Sequence, residues 1–406
     1  MKTAVIGGGP AGMISAYFRA VSGDEVVLVE KNEKLGKKLY ITGKGRCNVT
    51  NDCDEEEFLS NVVTNPKFLM SAVKKFCPAD FMRFLSAKLR LKTERGNRVF
   101  PLSDKASDVT ACLESYLRDA GVAIRFNEEA YGIEIRDGKV CGIKTSSGIT
   151  ECDNVIVATG GKSYSSTGST GDGYKFAAAS GHTIIPAKPA LCGINVKGDV
   201  CRRLQGVSLK NVRLTAVKDG KTVFSDFGEM MFTHFGISGP IVLTASSYLN
   251  KFDPNEIKLF VDLKPALTYE QLDARLLRDF DKYKNKRIKN SLDDLLPKSL
   301  IPIIIETSGI NGDVSNSDFR QCDRAKLVET LKAFPLVPSS LRDVEEAIVT
   351  SGGVNVKEID PKTMESKLVK GLYFVGEVLD VDALTGGFNI TIAAMTAYAA
   401  GNAVNN

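Results

Sequence analysis

The feature that most constrains the fold is a glycine-rich turn between two short apolar segments at the start of the chain. Residues 2–6 predict a buried strand, residues 13–21 a helix and residues 25–29 a second strand. The turn Gly7-Gly8-Gly9-Pro10-Ala11-Gly12 fits the pattern GxGxxG, and Glu30 follows it about 20 residues later. This order and spacing predict a β-α-β unit that binds a dinucleotide through these glycines, Pro10 and Ala11.

Each motif residue has a physical role in such a site. Gly7 permits the sharp turn, Gly9 lets a pyrophosphate approach the backbone, and Gly12 lets the helix pack closely on the strand. The first N–H groups of the helix and its dipole attract phosphate. Glu30 can accept hydrogen bonds from both hydroxyls of an adenosine ribose and would repel a 2′-phosphate. The motif therefore predicts FAD or NAD rather than NADP.

Composition limits the alternatives. The length of 406 residues fits two or three domains, and 53 basic against 49 acidic residues are too balanced to indicate nucleic-acid or membrane binding. Nine cysteines without a CxxC pair indicate reduced thiols rather than disulfides or a zinc ribbon, and two histidines argue against a metal centre. The sequence shows no signal peptide and no apolar run that could span a membrane, so we expect a cytoplasmic protein.

A basic loop and a glycine-rich segment follow the first unit. The loop covers residues 31–38, and residues 42–51 combine glycines, basic groups and amides. In a Rossmann flavoprotein this part of the chain runs beside the pyrophosphate toward the flavin, whereas the alternative is an ordinary glycine turn with solvated lysines. We interpret five residues as cofactor contacts: Lys31, Lys38, Gly43, Arg46 and Asn48. Arg46 is also a candidate catalytic residue.

Three short strands with tight turns come next, at residues 131–135, 139–145 and 148–152, and they predict a β-meander. A buried strand from residue 154 then ends in small residues. A meander laid over a parallel sheet with this ending is typical of the glutathione-reductase-like class of FAD-binding Rossmann domains. We expect Thr159, Gly160 and Gly161 near the adenosine or pyrophosphate, and a backbone group near Ala130 at the adenine.

The Rossmann-type pattern of strand, glycine turn and helix appears again near residue 372. An apolar strand ends in Gly376-Glu377, Asp380 follows, and Gly387-Phe388-Asn389-Ile390 opens a helix of small residues. An acid after a late strand can bind the ribityl chain, and the dipole of a helix N-terminus can stabilise the negative charge of a reduced flavin. We expect Glu377 or Asp380 at the ribityl chain and residues 387–390 at the ring. The alternative is a strand and a helix that serve packing alone.

The middle of the chain has a different pattern. Residues 191–266 predict strands with polar turns, and residues 267–340 predict helices, so the α/β FAD-binding domain consists of residues 1–190 and 341–406. His234, in the β-rich segment, is a candidate proton donor to substrate; the alternative is a histidine fixed by local hydrogen bonds. We interpret His182 as structural and the basic run at residues 282–289 as a solvated surface.

Several longer stretches resemble one bacterial flavoprotein family, often called aminoacetone oxidase-like: residues 43–51, 98–101, 232–240, 363–367 and 371–380. Its members are described as NAD(P)/FAD-dependent oxidoreductases, some as aminoacetone oxidases or bile-acid dehydroxylation reductases. The resemblance spans residues 1–401 and implies a Rossmann domain split by a β-barrel-like and a helical insert. It also implies cofactor contacts at Gly7, Gly9, Gly12, Glu30, Asn48, Thr159, Gly160, Glu377, Asp380 and Asn389. Phe388 departs from the tyrosine that the family usually has there.

Together these features predict an enzyme with noncovalent FAD that passes hydride through flavin N5. A second GxGxxG is not legible, so NAD(P)H would be a transient donor without a domain of its own. We expect reduction of an activated C=C bond in a small molecule, without a nucleic-acid or membrane partner. An amine oxidase that uses O2 is one alternative, and a flavin-containing RNA-modification or binding accessory protein is another.

Overall fold

The computed structural model describes residues 1–403, and the chain divides into two compact units. Unit 1 consists of Met1–Ala190 and Val344–Asn406, and unit 2 of Leu191–Asp343. The β-rich segment at residues 191–266 and the helical segment at residues 267–340 both lie in unit 2. They therefore form one compact body.

The first part of unit 1 alternates strands and helices. Its elements are β1 (Lys2–Ile6), α1 (Pro10–Val21), β2 (Glu25–Glu30), β3 (Thr50–Asn51), α2 (Glu55–Ser60), α3 (Met70–Lys75), α4 (Pro78–Ser86), β4 (Leu91–Glu94), β5 (Arg98–Pro101), α5 (Ala106–Asp119), β6 (Ala123–Phe126), β7 (Ala130–Arg136), β8 (Lys139–Thr145), β9 (Gly148–Glu151), β10 (Asn154–Val157), α6 (Asp172–Ala179) and β11 (Ile184–Ala190). α1 begins at Pro10 rather than at Met13, because proline is favourable in the first turn of a helix, where its missing N–H costs nothing.

Unit 2 follows. Its elements are β12 (Ile194–Val196), α7 (Val200–Arg203), β13 (Ser208–Lys218), β14 (Lys221–Phe232), β15 (Gly236–Ser238), α8 (Pro240–Leu249), β16 (Ile257–Asp262), α9 (Tyr269–Lys282), α10 (Ile301–Ser308), α11 (Gln321–Lys332), β17 (Phe334–Leu336) and β18 (Pro338–Leu341). They build a seven-stranded antiparallel sheet in the order β17-β16-β13-β14-β15-β12-β18. Because only Val337 separates the two outermost strands, the sheet must curve until its edges meet, like a barrel.

The helices α9 to α11 are inserted between two strands of this sheet, β16 and β17. α9 begins with a capping box: Thr268 N–H donates to Gln271 Oε1 at 3.0 Å, and Gln271 N–H donates to Thr268 Oγ1 at 3.2 Å. Its apolar face buries Leu272, Leu276 and Phe280. The sequence pattern missed α8, because Pro240–Leu249 is apolar around most of its circumference and shows no clear helical period.

The chain re-enters unit 1 with β19 (Val349–Val354), β20 (Leu372–Phe374) and α12 (Phe388–Gly401). The central sheet of unit 1 is parallel, in the order β20-β10-β1-β2-β6, with β1 at its centre. β7, β8 and β9 form the antiparallel meander. The fold is therefore the predicted α/β Rossmann type with a meander.

The first and last helices of unit 1 pack together. The buried guanidinium of Arg19 on α1 donates from Nη1 to the carbonyl oxygen of Ala403 at 2.9 Å. The same guanidinium lies 4.9 Å from the centroid of the Tyr373 ring on β20. Phe18 and Tyr398 add an edge-to-face contact, with centroids 4.8 Å apart. The two ends of the Rossmann domain therefore share one core.

No helix within residues 1–403 is long and apolar enough to cross a membrane. In the same residues, no group of three or more His, Cys, Asp and Glu side chains is placed to hold a metal ion. All nine cysteines carry free thiols.

Candidate cofactor site

The glycine-rich turn lies at the carboxyl end of β1. A Cβ at Gly7 would lie 2.6 Å from the carbonyl oxygen of Ala158, and a Cβ at Gly12 would overlap the carbonyl oxygen of Gly7. Gly9, in contrast, has no atom of the described residues within 4 Å of its Cβ position, and none of their side chains caps the helix that follows it. Gly7 and Gly12 are thus required by packing, whereas Gly9 borders open space at an uncapped helix N-terminus, where a pyrophosphate fits.

Glu30 is buried beside this turn with its carboxylate fixed by the protein. Oε2 accepts a hydrogen bond from Gly8 N–H at 2.7 Å, and Oε1 accepts from Asn32 N–H at 2.8 Å and from Asn32 Nδ2 at 2.6 Å. Within residues 1–403, Oε2 accepts only the hydrogen bond from Gly8 and retains accepting capacity, so a ribose hydroxyl can still donate to it. Glu128 N–H donates to the carbonyl oxygen of Glu30 at 3.1 Å, which brings the start of β7, with Ala130, beside this acid.

Lys31 joins the loop after β2 to the start of α6. Its Nζ donates to Thr170 Oγ1 at 2.6 Å and to Asp172 Oδ2 at 2.7 Å. Burial raises the pKa of Asp172, but hydrogen bonds from Lys31 and Thr170 outweigh burial and hold that pKa at about 2. The carboxylate therefore stays charged and anchors Lys31 at any ordinary pH.

Glu377 connects four segments of unit 1. Its Oε2 accepts from Lys38 Nζ at 2.8 Å, and its Oε1 accepts from Thr350 N–H at 2.9 Å. Lys38 Nζ also donates to Ser163 Oγ at 2.6 Å. A Cβ at Gly161 would lie 3.0 Å from Glu377 Oε1, so a small residue is needed there. The predicted contacts Lys38, Gly161 and Glu377 are thereby brought together, although distant in sequence.

Arg46 donates hydrogen bonds to two carboxylates. Its Nε donates to Asp104 Oδ1 at 2.8 Å, its Nη2 donates to Glu94, and its guanidinium lies 4.3 Å from the centroid of the Phe100 ring. These contacts stabilise the glycine-rich segment that carries Arg46. Its roles as a cofactor contact and as a catalytic residue stay predictions.

Two predicted cofactor contacts have buried oxygens without a partner. Within residues 1–403, neither Asn48 Oδ1 nor Thr159 Oγ1 makes a hydrogen bond. An unpartnered buried polar group costs about 1–3 kcal/mol, so these atoms fit a bound ligand that donates to them. The neighbouring thiol of Cys47 is different, because burial raises its pKa to about 11 and keeps it protonated.

The closing turn lies before α12. Gly387 has a φ of +94°, and a Cβ there would lie 2.5 Å from the carbonyl carbon and oxygen of Thr50. Within residues 1–403, no side chain caps α12, so the N–H groups of its first turn, from Phe388 to Ile390, have no side-chain acceptor there. Asn389 clamps the preceding loop through two hydrogen bonds with the backbone of Ala383, at 2.7 and 2.9 Å.

Three further predicted contacts are placed by packing. The side chain of Phe388 is buried, with its ring centroid 6.0 Å from that of Phe58. Asp380 is held by Asn65, whose Nδ2 donates to its Oδ2 at 3.0 Å. A Cβ at Gly376 would lie 2.9 Å from the Cβ of Ala11, so the closing strand meets the first turn of α1.

Sequence reasoning missed Ser163 and Thr350, which complete the surroundings of Glu377. Ser163 Oγ lies 3.3 Å from Glu377 Oε1 although 214 residues separate them. Nothing in the sequence pattern connects them. Tyr174 was missed too: its buried hydroxyl has no hydrogen-bond partner within the described part of the chain.

The two histidines have different surroundings. His182 is buried in unit 1, where Nε2 lies 2.9 Å from Ser366 Oγ and Nδ1 lies 3.2 Å from Glu358 Oε2. This agrees with a structural role. His234 lies in unit 2, is exposed, and has its ring 5.2 Å from that of Phe235. Its role as a proton donor stays a prediction.

These residues fit FAD: open space at Gly9, two uncapped helix termini, the fixed carboxylate of Glu30 and unpartnered oxygens on Asn48 and Thr159. Residues 1–403 match the family model described as HI0933-like protein Rossmann domain. The chain belongs to this family of FAD-dependent oxidoreductases, which confirms the predicted cofactor domain.

Two individual relatives carry names that describe particular reactions. The chain is 32% identical over 406 residues to the 3-dehydro-bile acid delta(4,6)-reductase of Clostridium scindens, across 99% of this chain and 98% of that protein. This confirms the resemblance to bile-acid reductases. It is also 33% identical to the ribosomal RNA dihydrouridine synthase of Haemophilus influenzae, across 97% of this chain and 96% of that protein.

Among solved structures, the 3-ketosteroid delta1-dehydrogenase of Sterolibacterium denitrificans superposes with a TM-score of 0.52. The alignment covers 98% of each chain at 12% identity. An identity this low shows a shared fold alone.

Proposed function

We propose that this protein is an FAD-dependent reductase that adds a hydride to a carbon–carbon double bond conjugated to a carbonyl group. The chemistry shared by the bile-acid reductase and the dihydrouridine synthase described above carries the proposal. A delta(4,6)-reductase of a 3-dehydro-bile acid acts on double bonds conjugated to the 3-carbonyl. Dihydrouridine synthesis saturates the uracil double bond that is conjugated to a ring carbonyl. Both reactions need a hydride on one carbon and a proton on the other.

The chain's own residues would hold the cofactor along one edge of the parallel sheet. Gly9 and the N-terminus of α1 would receive the pyrophosphate, and Glu30 would orient the adenosine ribose. Glu377, fixed by Lys38, would face the ribityl chain. When bound, FAD supplies hydride transfer through its N5 atom. The uncapped N-terminus of α12 would favour negative charge near it.

We propose NAD(P)H as the electron donor, bound transiently, and a small conjugated ketone as the first acceptor to test. The experiment is an anaerobic titration of FAD-loaded enzyme with NADH and NADPH, followed by 4-androstene-3,17-dione. We expect the flavin colour to bleach with one of the donors and to return as the enone is reduced. Peroxide release from aminoacetone in air, with no enone reduction, would instead establish the amine oxidase.

A uridine in ribosomal RNA is the second candidate acceptor, because the Haemophilus influenzae relative aligns across nearly the whole of both chains. The basic run does not favour RNA, since three of its five cationic side chains are paired locally: Lys282 with Asp294 at 2.9 Å, and Arg287 and Lys289 with Asp313 at 2.8 and 2.6 Å. A transcribed ribosomal RNA incubated with the reduced enzyme separates the candidates. Mass spectrometry would show two added hydrogens per modified uridine.

A further inference from the structure

Unit 1 has a cavity of about 560 Å³ at the amino-terminal edge of its parallel sheet, away from the glycine turns. Lys2, the first residue of β1, and Asp153, which precedes β10, form one wall, and the meander strands form the others. Two of the nine cysteines, Cys141 and Cys152, line this cavity. Its described lining includes no residue assigned to the cofactor, so the cavity is a separate place on the domain.

The two cysteines lie opposite each other on antiparallel strands. β8 pairs with β9 so that Gly142 is opposite Glu151, and the next position along places Cys141 opposite Cys152. Cys152 N–H donates to the Cys141 carbonyl oxygen at 3.2 Å, so the pairing continues to this position. Directly opposite residues point to the same face, with Cα atoms about 4.5–5.5 Å apart. A disulfide spans Cα separations of about 4.4–6.8 Å, so the backbone already fits one.

A β-bulge on the other side of β8 involves Cys141. On β7, Glu134 pairs with Gly142 but Ile135 pairs with Val140, so the register between β7 and β8 skips Cys141. A bulge of this kind interrupts the ladder and redirects the side chain of the extra residue. The cross-strand neighbour of Cys141 is therefore on β9 alone.

The two thiols differ in their access to solvent. Cys141 is half-buried and borders the cavity, so a small oxidant reaches it first. Burial raises the pKa of the Cys152 thiol to about 12, and Asp153 and Cys141 add to the rise. Cys152 is therefore a poor nucleophile toward an oxidant in solution. Attack on a sulfur of the neighbouring residue is intramolecular, which offsets the small fraction of thiolate.

We propose that Cys141 and Cys152 form a modification site, at which a small-molecule disulfide such as glutathione disulfide oxidises both thiols to a cross-strand disulfide. The Cys141 thiolate attacks one sulfur of glutathione disulfide, which breaks the S–S bond and releases one glutathione. The Cys152 thiol then loses its proton to solvent, attacks the Cys141 sulfur and displaces the second glutathione. The protein loses two electrons and two protons, and one glutathione disulfide becomes two glutathione molecules.

The test incubates the full-length, FAD-loaded protein with glutathione disulfide, blocks the remaining thiols with iodoacetamide and digests the protein with trypsin, without a reductant. Trypsin cleaves after Lys144, between the two cysteines, so only a disulfide can hold their peptides together. Mass spectrometry of the wild type should show this joined pair. Cys152→Ser should retain glutathione on Cys141. Cys141→Ser should lower the modification of Cys152 by on the order of 100-fold, because the buried thiol then meets the oxidant alone.

Cys322 is the matched control, because it is exposed and lies on helix α11 rather than on paired strands. It should hold one glutathione outside any cross-link, which shows that the oxidant was active.

Three results would overturn the inference. Glutathione retained on Cys141 in the wild type, as in Cys152→Ser, would show that the two thiols do not meet. A modified Cys322 beside an unmodified Cys141 would show that the cavity does not admit the oxidant. A link from Cys141 to any other cysteine would show that Cys152 is not its partner. Should Cys152→Ser not fold, the wild-type digest and Cys141→Ser still decide.

Discussion

The opening and closing glycine turns of unit 1 both precede an uncapped helix, but their surroundings differ. At the opening turn, Gly12 packs against the backbone of Gly7, while Gly9 borders open space. At the closing turn, Gly387 lies against the backbone of Thr50 on β3 and has a φ of +94°. The opening turn thus combines a packing glycine, Gly12, with a glycine that borders open space, Gly9. The closing turn is fixed by a strand that lies far away in sequence.

The largest loss of stability is expected from Gly12→Ala. The added methyl group would overlap the carbonyl oxygen of Gly7, a backbone atom that cannot move without distorting β1 and α1. Overpacking of this kind costs roughly 3 kcal/mol or more. Denaturant unfolding of the apoprotein should show the loss before any cofactor is added. Unchanged apoprotein stability would mean that the opening turn is not held by packing at this position.

Gly387→Ala should have the next largest effect, because it combines an overlap with Thr50 and a left-handed backbone. We expect a loss of about 2–4 kcal/mol in the free energy of unfolding. Gly23→Ala is the matched control, since Gly23 has a φ of +98° and no atom within 4 Å of its Cβ position. Equal losses in the two variants would assign the cost at the closing turn to backbone strain alone.

Gly9→Ala should leave the fold intact and weaken the binding of FAD. Gly9 has a φ of −74°, which alanine adopts readily, so the stability of the apoprotein should change by less than about 1 kcal/mol. FAD affinity should fall on the order of 100-fold, because the methyl group fills the space that a pyrophosphate needs. Fluorescence titration with FAD measures this. Normal affinity would show that the open space is not the phosphate site.

The smallest changes in stability and FAD affinity are expected from Lys38→Met, which removes the ion-pair partner of Glu377. The pair is only partly buried, with exposed fractions of 20% and 21%, so stability should fall by less than about 1 kcal/mol. FAD affinity should fall by less than roughly tenfold and become less sensitive to salt. Lys37→Met is the control, because Lys37 pairs with Glu33 and not with Glu377. A larger change in Lys37→Met would contradict this assignment.

The opening turn could be predicted from sequence because its glycines and the two flanking strands are contiguous in the chain, although Gly7 also packs against the distant Ala158. The spacing of Gly7, Gly9 and Gly12 between apolar segments fixes β1 at Lys2–Ile6 and the end of α1 at Val21. The meander strand β8 also has its predicted bounds, Lys139–Thr145, because two-residue turns flank it.

Sequence reasoning could not give the contacts that tertiary structure creates. The partners of Glu377, the carboxylates at Arg46 and the position of Thr50 behind Gly387 all come from distant segments. The sequence pattern also assigned the strands and the helices of unit 2 to two different segments. The reason is that the pairing of β17 and β18 with earlier strands cannot be read from local periodicity.

The packing of α1 against α12 has a consequence for biosynthesis. On the ribosome, the opening glycine turn is synthesised long before Phe388–Gly401, so a nascent chain carries α1 with its partner helix missing. Until then, the guanidinium of Arg19 lacks the carbonyl of Ala403 and Phe18 lacks the ring of Tyr398. A transcript truncated before codon 388 would therefore yield a polypeptide with exposed aromatic surface, suited to chaperones and proteases rather than to catalysis.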